Sequence, residues 1–106
     1  MAGKLNWDVA ELLDRAERSA YRVRGFAKEL RISPRQLQRL TRRVFGQSPQ
    51  EWLDEQRLIM AVPKLKRLRS VKAVSFQLGY KQVSHFSREF KQYHGVCPTT
   101  FLAGTP

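Results

Sequence analysis

Arginine and glutamine side chains suited to paired hydrogen bonds are concentrated between Arg35 and Arg43, a stretch without an acidic residue. A guanidinium can bond guanine at two atoms, and a glutamine amide can bond adenine in the same way. A second segment, from Lys81 to Lys91, carries lysine, glutamine, serine, histidine and arginine. Side chains of these types also donate to phosphate oxygens. The two segments therefore predict recognition of a polyanion through hydrogen bonds.

The whole chain is strongly basic. Its 106 residues include 20 Lys and Arg against 9 acidic residues, which gives a formal net charge of +11. Because a small domain does not need this excess to fold and is repelled by it, a polyanionic partner is indicated. Nucleic acid is the first candidate partner and an anionic membrane surface is the second. A merely solvated basic surface is the alternative to both.

Residues for catalysis or metal binding do not form a set with suitable spacing. The only cysteine is Cys97, and His85 and His94 do not complete a zinc-binding pattern with it. There is no Ser–His or Cys–His arrangement, glycine-rich phosphate loop or carboxylate cluster. We therefore expect no enzyme, cofactor or metal ion. A single cysteine fits a reducing compartment, and no apolar run is long enough to span a membrane, so we expect a cytoplasmic, nucleoid-associated protein without a membrane partner.

Hydrophobic spacing and capping signals predict an all-α fold of about seven helices. Apolar residues recur every three or four positions after Asn6, a good N-cap, which predicts a first helix from about Trp7 to Ala20. A short second helix is predicted from Val23 to Leu30. The predicted core comprises Phe26, Leu30, Leu37, Leu40, Val74, Leu78, Phe86 and Phe90.

Ser-Pro pairs at residues 33–34 and 48–49 mark the starts of two further helices. The first of these helices, which Gly46 ends, is predicted to direct Val44 inward together with its leucines. Pro63 lies inside the long helix that follows. Because proline lacks an N–H and clashes with the preceding turn, Pro63 is predicted to kink or break that helix.

The chain contains an internal repeat. Residues 49 positions apart correspond in type: Leu37 and Phe86, Arg39 and Arg88, Arg42 and Lys91, Gly46 and Gly95, Pro49 and Pro98, and Trp52 and Phe101. Upstream, Ala27 corresponds to Ser75 at 48 positions, which implies one inserted residue in the second turn. The repeated unit is helix, turn, helix, glycine and proline. Glycine allows a positive φ at Gly79, whereas Arg31 stands there in the first copy, so that turn must differ or be strained.

These residues resemble the DNA-binding domain of the AraC/XylS family of bacterial transcription regulators. The resemblance covers roughly Val23 to Leu102. Its most specific part is Gly79-Tyr80, followed by Ser84 to Lys91 and then by Gly95 and Pro98. The family usually has an aromatic residue where this chain has threonine at position 41, so looser packing of the first copy is expected.

The resemblance implies two recognition helices, each entering a major groove of DNA. If these helices lie about 34 Å apart, they would read successive turns of the duplex. Base edges are expected to be contacted by Arg35, Gln36, Gln38, Arg39, Ser84, His85 and Arg88. The DNA backbone is expected to be contacted by Arg42, Arg43, Gln47, Ser48, Lys81, Gln82, Lys91 and Val96. The amides at the helix starts near Gln47, Ser48, Val96 and Cys97 suit phosphate.

The resemblance also divides the chain. Residues 1–22 are expected to form an N-terminal helix on the first module (23–53), and residues 54–69 a linker helix before the second module (70–106). The function implied is that of a sequence-specific regulator that binds double-stranded DNA, as a monomer or as a dimer through a domain outside this chain. RNA polymerase is a further expected partner. The alternative is a non-specific, nucleoid-type nucleic-acid-binding protein.

Overall fold

The computed structural model describes residues 7–105, and these residues form seven α-helices and no strand, which confirms the all-α prediction. The helices are α1 (Val9–Arg18), α2 (Val23–Leu30), α3 (Pro34–Phe45), α4 (Pro49–Leu68), α5 (Val71–Gln77), α6 (Val83–His94) and α7 (Pro98–Ala103).

Helix α1 is shorter than predicted by two residues at each end. Its N-cap is Asp8, whose carboxylate accepts a hydrogen bond of 2.8 Å from the Glu11 N–H. The predicted N-cap, Asn6, lies outside the described residues. At the other end, positive φ angles of 54° at Ala20 and 59° at Tyr21 take the chain out of the helix.

The chain divides into two compact units, and the boundary lies between Arg57 and Leu58, within α4. In the first unit α1 packs on α2 and α2 packs on α3. The core of this unit consists of Leu12, Ala16, Tyr21, Phe26, Ala27, Leu30, Leu37, Trp52 and Leu53.

In the second unit α5 packs on α6 and α6 packs on α7. Its core consists of Leu58, Ala61, Leu65, Val74, Leu78, Tyr80, Phe86 and Phe90. Of the core residues predicted from the sequence, all are buried except Leu40, which is partly exposed.

The prediction that Val44 faces inward is wrong, because this side chain is 49% exposed. Leu37 lies two helical turns earlier on the same side of α3 and is fully buried. The side of α3 that is buried at Leu37 is therefore exposed in the last turn of the helix. Tyr93, the equivalent residue of α6, is also exposed, at 47%.

Helix α4 continues through Pro63, so the predicted break does not occur. The carbonyl that loses its helical partner at a proline belongs to the residue four positions earlier, which is Ile59. Both residues are exposed, and the freed carbonyl therefore lies on a side of α4 that water can reach. The proline thus removes one backbone hydrogen bond from a helix of 20 residues without ending it.

The turn between α2 and α3 and the turn between α5 and α6 each contain a residue with a left-handed backbone, at equivalent positions. Arg31 has a φ of 58° and Gly79 a φ of 86°. A left-handed conformation costs a residue with a Cβ roughly 1–2 kcal/mol. The first turn is therefore strained, as expected from the arginine at this position.

A backbone hydrogen bond shows where the extra residue of the second turn lies. The Ile32 N–H donates to the Ala27 carbonyl at 3.1 Å, and the Tyr80 N–H donates to the Ser75 carbonyl at 3.1 Å. The N-cap of the next helix follows at once in the first copy but one residue later in the second. The inserted residue is Lys81, and it moves the start of α6 without changing the turn.

Candidate nucleic-acid interface

Helix α3 begins with a hydrogen-bonded cap and has one buried and one exposed side. The Ser33 hydroxyl accepts a hydrogen bond of 3.1 Å from the Gln36 N–H, and the Gln36 side-chain oxygen accepts one of 2.9 Å from the Ser33 N–H. Leu37 and Thr41 are buried on the inner side. The exposed polar residues of α3 are Arg35, Gln36, Gln38, Arg39, Arg42 and Arg43.

Three arginines form a stripe along the exposed side of α3. Arg35, Arg39 and Arg42 are spaced by four and three residues, which places them in one row on a helix. The helix has no acidic residue. Within residues 7–105, neither Arg35 nor Arg39 makes an ion pair or a side-chain hydrogen bond. Their guanidinium groups are available for a partner outside the chain.

Helix α6 presents a stripe at the equivalent positions. Ser84, Arg88 and Lys91 are exposed and have the same spacing as the arginines of α3. Lys81 and Gln82, just before the helix, are exposed as well, and the Gln82 side chain makes no capping hydrogen bond. Both helices therefore carry a row of donors on the surface, although the first row is richer in charge.

Two predicted base-contacting side chains already have hydrogen-bond partners. The Gln36 side-chain oxygen belongs to the cap of α3, so the amide nitrogen is the group left for a base. The His85 Nε2 atom lies 2.7 Å from the Glu89 carboxylate. The spacing of Ser33 and Gln36 and that of His85 and Glu89 were visible in the sequence, whereas the hydrogen bonds were not.

The start of α4 is closed by a side chain. The Ser48 N–H donates to the Glu51 carboxylate at 3.0 Å, and the Ser48 hydroxyl accepts from the Glu51 N–H at 3.2 Å. The backbone hydrogen bond from Ser48, its side-chain hydrogen bond and the nearby Arg42 together lower the pKa of Glu51. A phosphate at this helix start would compete with a carboxylate for the same N–H. The Gln47 side chain, 3.3 Å from Glu55, is likewise engaged.

The start of α7 lacks such a cap. Cys97 is the N-cap residue and makes no capping hydrogen bond through its side chain. Val96, just before it, is 39% exposed. The predicted phosphate contact at Val96 has no competing side chain in the helix cap, in contrast to the one at Ser48.

Aromatic contacts hold each exposed helix against its neighbours. Trp52 stacks on Phe45 with ring centres 4.6 Å apart and on Phe26 at 5.6 Å. In the second unit Phe101 meets Phe90 edge to face at 5.9 Å. Trp52 therefore packs α4 onto α3, and Phe101 packs α7 onto α6.

Part of the basic run that follows Pro63 serves the fold of the second unit. Lys64 is buried, and its ammonium donates to the Gln77 side chain at 3.1 Å. The Arg69 guanidinium donates to the backbone carbonyls of Thr105 at 3.1 Å and Leu102 at 3.4 Å. These cations hold helix ends together and are not counted among the DNA-contacting groups.

Between residues 7 and 105 there is no cluster of three or more His, Cys, Asp or Glu placed to hold a metal ion. No helix within the same range is long and apolar enough to cross a membrane.

A short helix, a tight turn and an amphipathic helix with a basic exposed side, present twice, define a DNA-binding helix-turn-helix protein. Comparison with protein families agrees: the profile described as "Helix-turn-helix domain", of the AraC type, matches residues 26–104. The chain belongs to this family, and it is a DNA-binding domain of the transcription-regulator type.

Several curated proteins are similar in sequence. The chain is 30% identical over 96 residues to the HTH-type transcriptional regulator RipA of Corynebacterium glutamicum, which covers 91% of the chain and 29% of that protein. It is 31% identical over 87 residues to the arabinose operon regulatory protein of Salmonella typhimurium, and the match covers 81% of the chain and 31% of that protein. It is 40% identical over 76 residues to an uncharacterised HTH-type transcriptional regulator of Mycobacterium bovis, and the match covers 71% of the chain and 22% of that protein.

The chain thus spans no more than about a third of the length of these relatives. No solved structure gives a significant match to it.

Proposed function

We propose that this chain binds double-stranded DNA at a specific sequence, with α3 and α6 each inserted into a major groove, and thereby regulates transcription in a bacterium. The observation that carries the proposal is the pair of equivalent exposed stripes. Arg35, Arg39 and Arg42 on α3 occupy the same helical positions as Ser84, Arg88 and Lys91 on α6.

The residues near the start of each helix read base edges in this proposal, because recognition helices enter the groove with their N-terminal part. In α3 these are Arg35, Gln36, Gln38 and Arg39, and in α6 they are Ser84, His85 and Arg88. The contacts to the DNA backbone come from Arg42, Arg43, Gln47, Ser48, Lys81, Gln82, Lys91 and Val96. Backbone contacts fix the register and base contacts supply the specificity.

The wider setting follows from this activity. The protein works in the cytoplasm on the nucleoid, without chemistry of its own and without a membrane partner. This chain binds as a monomer, since two recognition helices on one chain can read both halves of an asymmetric site. RNA polymerase is a further partner in this proposal where the protein acts as an activator.

A non-specific nucleic-acid-binding protein is the second candidate, and the net charge of +11 is the observation that favours it. Such binding comes from phosphate neutralisation and falls steeply with salt. It does not need side chains such as Gln36 and Gln38 beside the arginine row.

The test is the selection of bound duplexes from a random pool, repeated at two salt concentrations. Enrichment of a motif with two blocks about one helical turn apart supports the proposal. A single block means that one module reads and the other anchors. Strongly salt-dependent binding without any motif contradicts specific reading and supports the second candidate. Lys28→Ala is the control variant for loss of positive charge, because it removes an exposed cation of α2 that lies outside both stripes. It should select the same motif as the wild type.

A further inference from the structure

A chain of hydrogen bonds runs through the start of the second recognition helix. The Tyr80 hydroxyl donates to one oxygen of the Glu89 carboxylate at 2.7 Å. The other oxygen of this carboxylate lies 2.7 Å from the Nε2 atom of His85. Because Tyr80 is only 4% exposed, this series of hydrogen bonds begins in the core of the unit.

The imidazole of His85 is held at two places. The hydrogen bond to Glu89 fixes its Nε2 edge, and the Tyr80 ring meets it edge to face at 5.3 Å with an angle of 88° between the planes. The His85 side chain nevertheless remains 46% exposed, in the first turn of α6. It is a polar group of fixed orientation at the end of the helix that enters the groove.

The hydrogen bond to Glu89 decides which ring nitrogen carries the proton. An ionised carboxylate only accepts hydrogen bonds, so Nε2 must be the donor. In a neutral imidazole the other nitrogen, Nδ1, then has no proton and can only accept. In the neutral ring, Glu89 therefore sets His85 as a hydrogen-bond acceptor toward a partner, whereas a protonated ring would donate from both nitrogens.

We propose that Glu89 is a positioning residue that makes His85 select adenine or cytosine on the DNA strand facing α6. This inference rests on the proposed function and names part of its specificity. In the major groove only the adenine N6 and cytosine N4 amino groups donate hydrogen bonds, whereas guanine and thymine present acceptors. An acceptor at Nδ1 pairs with the first two bases and leaves the other two without a donor.

The equivalent position of the first recognition helix has the opposite polarity. Gln36 occupies it, and the Gln36 side-chain oxygen is already bound to the Ser33 N–H at 2.9 Å. The Gln36 amide nitrogen, a donor, is the group without a partner in the described part of the chain. The two helices thus offer a donor and an acceptor at matching places, so the two blocks of the binding site differ there.

The variant that tests the proposal is Glu89→Gln. If the Tyr80 hydroxyl keeps donating to the side-chain oxygen, the new amide nitrogen donates to His85 Nε2. The proton of the ring then moves to Nδ1, and His85 becomes a donor toward the DNA. Glu29→Gln is the matched control, since it removes one negative charge from α2 in the other unit.

The first measurement needs no DNA: ¹⁵N NMR of the ring nitrogens at the pH of the DNA-binding assay, which shows directly which nitrogens carry a proton. His94 is the internal reference, because its Nε2 lies 2.8 Å from the Leu58 carbonyl and must be the donor there. We expect both histidines to carry the proton on Nε2, and only His85 to move it to Nδ1 in Glu89→Gln. A doubly protonated His85, or one that does not respond to Glu89→Gln, overturns the proposal.

The second measurement is selection of bound duplexes with the wild type and both variants. We expect adenine and cytosine to be preferred about two- to tenfold at one position of one block, as one hydrogen bond provides. Glu89→Gln should abolish this preference and admit guanine or thymine, while Glu29→Gln should leave it unchanged. A motif that is the same in all three proteins overturns the role of Glu89 but leaves the proposed function intact. Absence of any motif contradicts the proposed function itself.

Discussion

Replacement of Arg39 by alanine separates specific reading from general attraction to DNA. Arg39 lies in the middle of the α3 stripe, is exposed, and makes no ion pair among residues 7–105. Its guanidinium therefore contributes nothing to the fold that the variant would lose. A base-reading arginine is worth about 1–3 kcal/mol, which corresponds to a rise in Kd of roughly 5- to 160-fold on the selected site. The melting temperature should stay unchanged.

The matched comparison is Arg43→Ala. Arg43 is exposed on the same helix and also makes no ion pair among the described residues, but it lies beside the stripe. Because Arg43 is predicted to contact phosphate, Arg43→Ala should weaken binding to all sequences alike. It should also reduce the slope of the logarithm of the binding constant against the logarithm of the salt concentration by about 0.9. Fluorescence anisotropy titrations on the selected duplex and on an unrelated one, at several salt concentrations, measure both quantities.

The reasoning is refuted if Arg39→Ala loses equal affinity on both duplexes and lowers the salt slope as Arg43→Ala does. Arg88→Ala extends the test to the second helix, where it should cost a similar factor on the other block of the site. An effect of Arg39→Ala alone would mean that α6 anchors the protein without reading bases.

Three further outcomes are expected from the fold. Arg31→Gly should raise the free energy of unfolding by about 0.5–1 kcal/mol by removing left-handed strain, whereas Arg31→Ala should not, and urea unfolding compares the two. Trp52→Ala should lower the free energy of unfolding by about 3–5 kcal/mol, because the Trp52 residue is 2% exposed and its ring stacks on those of Phe26 and Phe45. An unchanged midpoint of urea unfolding would contradict this packing. Burial, and then the Glu17 carboxylate, raise the pKa of Tyr21 to about 12. Since the ordinary value is about 10, the contribution of Tyr21 to stability should be constant below pH 10 and be lost as the pH rises toward 12; tyrosinate absorbance of the wild type and Tyr21→Phe should show that Tyr21 titrates late.

Much of the fold could be predicted from the sequence because its signals are local. The capping residues Ser33 and Ser70, and the glycines that end α3 and α6, act within a few residues of their own position. The repeat then gave the arrangement of helices in each copy without any knowledge of contacts.

What failed or was missed depends on neighbours in space. Val44 has the spacing of an inward residue, but its exposure depends on what packs against the last turn of α3. The effect of Pro63 depends on which side of α4 faces water. The partners of Gln36 and His85 are three and four residues away, so their spacing was visible, although their hydrogen bonds were not. The base and backbone contacts themselves remain predictions.

The order in which the helices pair has a consequence for how fast the chain folds. Each main helix contact joins elements that are adjacent in sequence: α1 with α2, α2 with α3, α5 with α6, and α6 with α7. Such pairs close short loops, and helical domains with a low contact order fold in microseconds to milliseconds. The first unit can thus complete its core while the second is still being synthesised, since translation adds only about 5–20 residues per second.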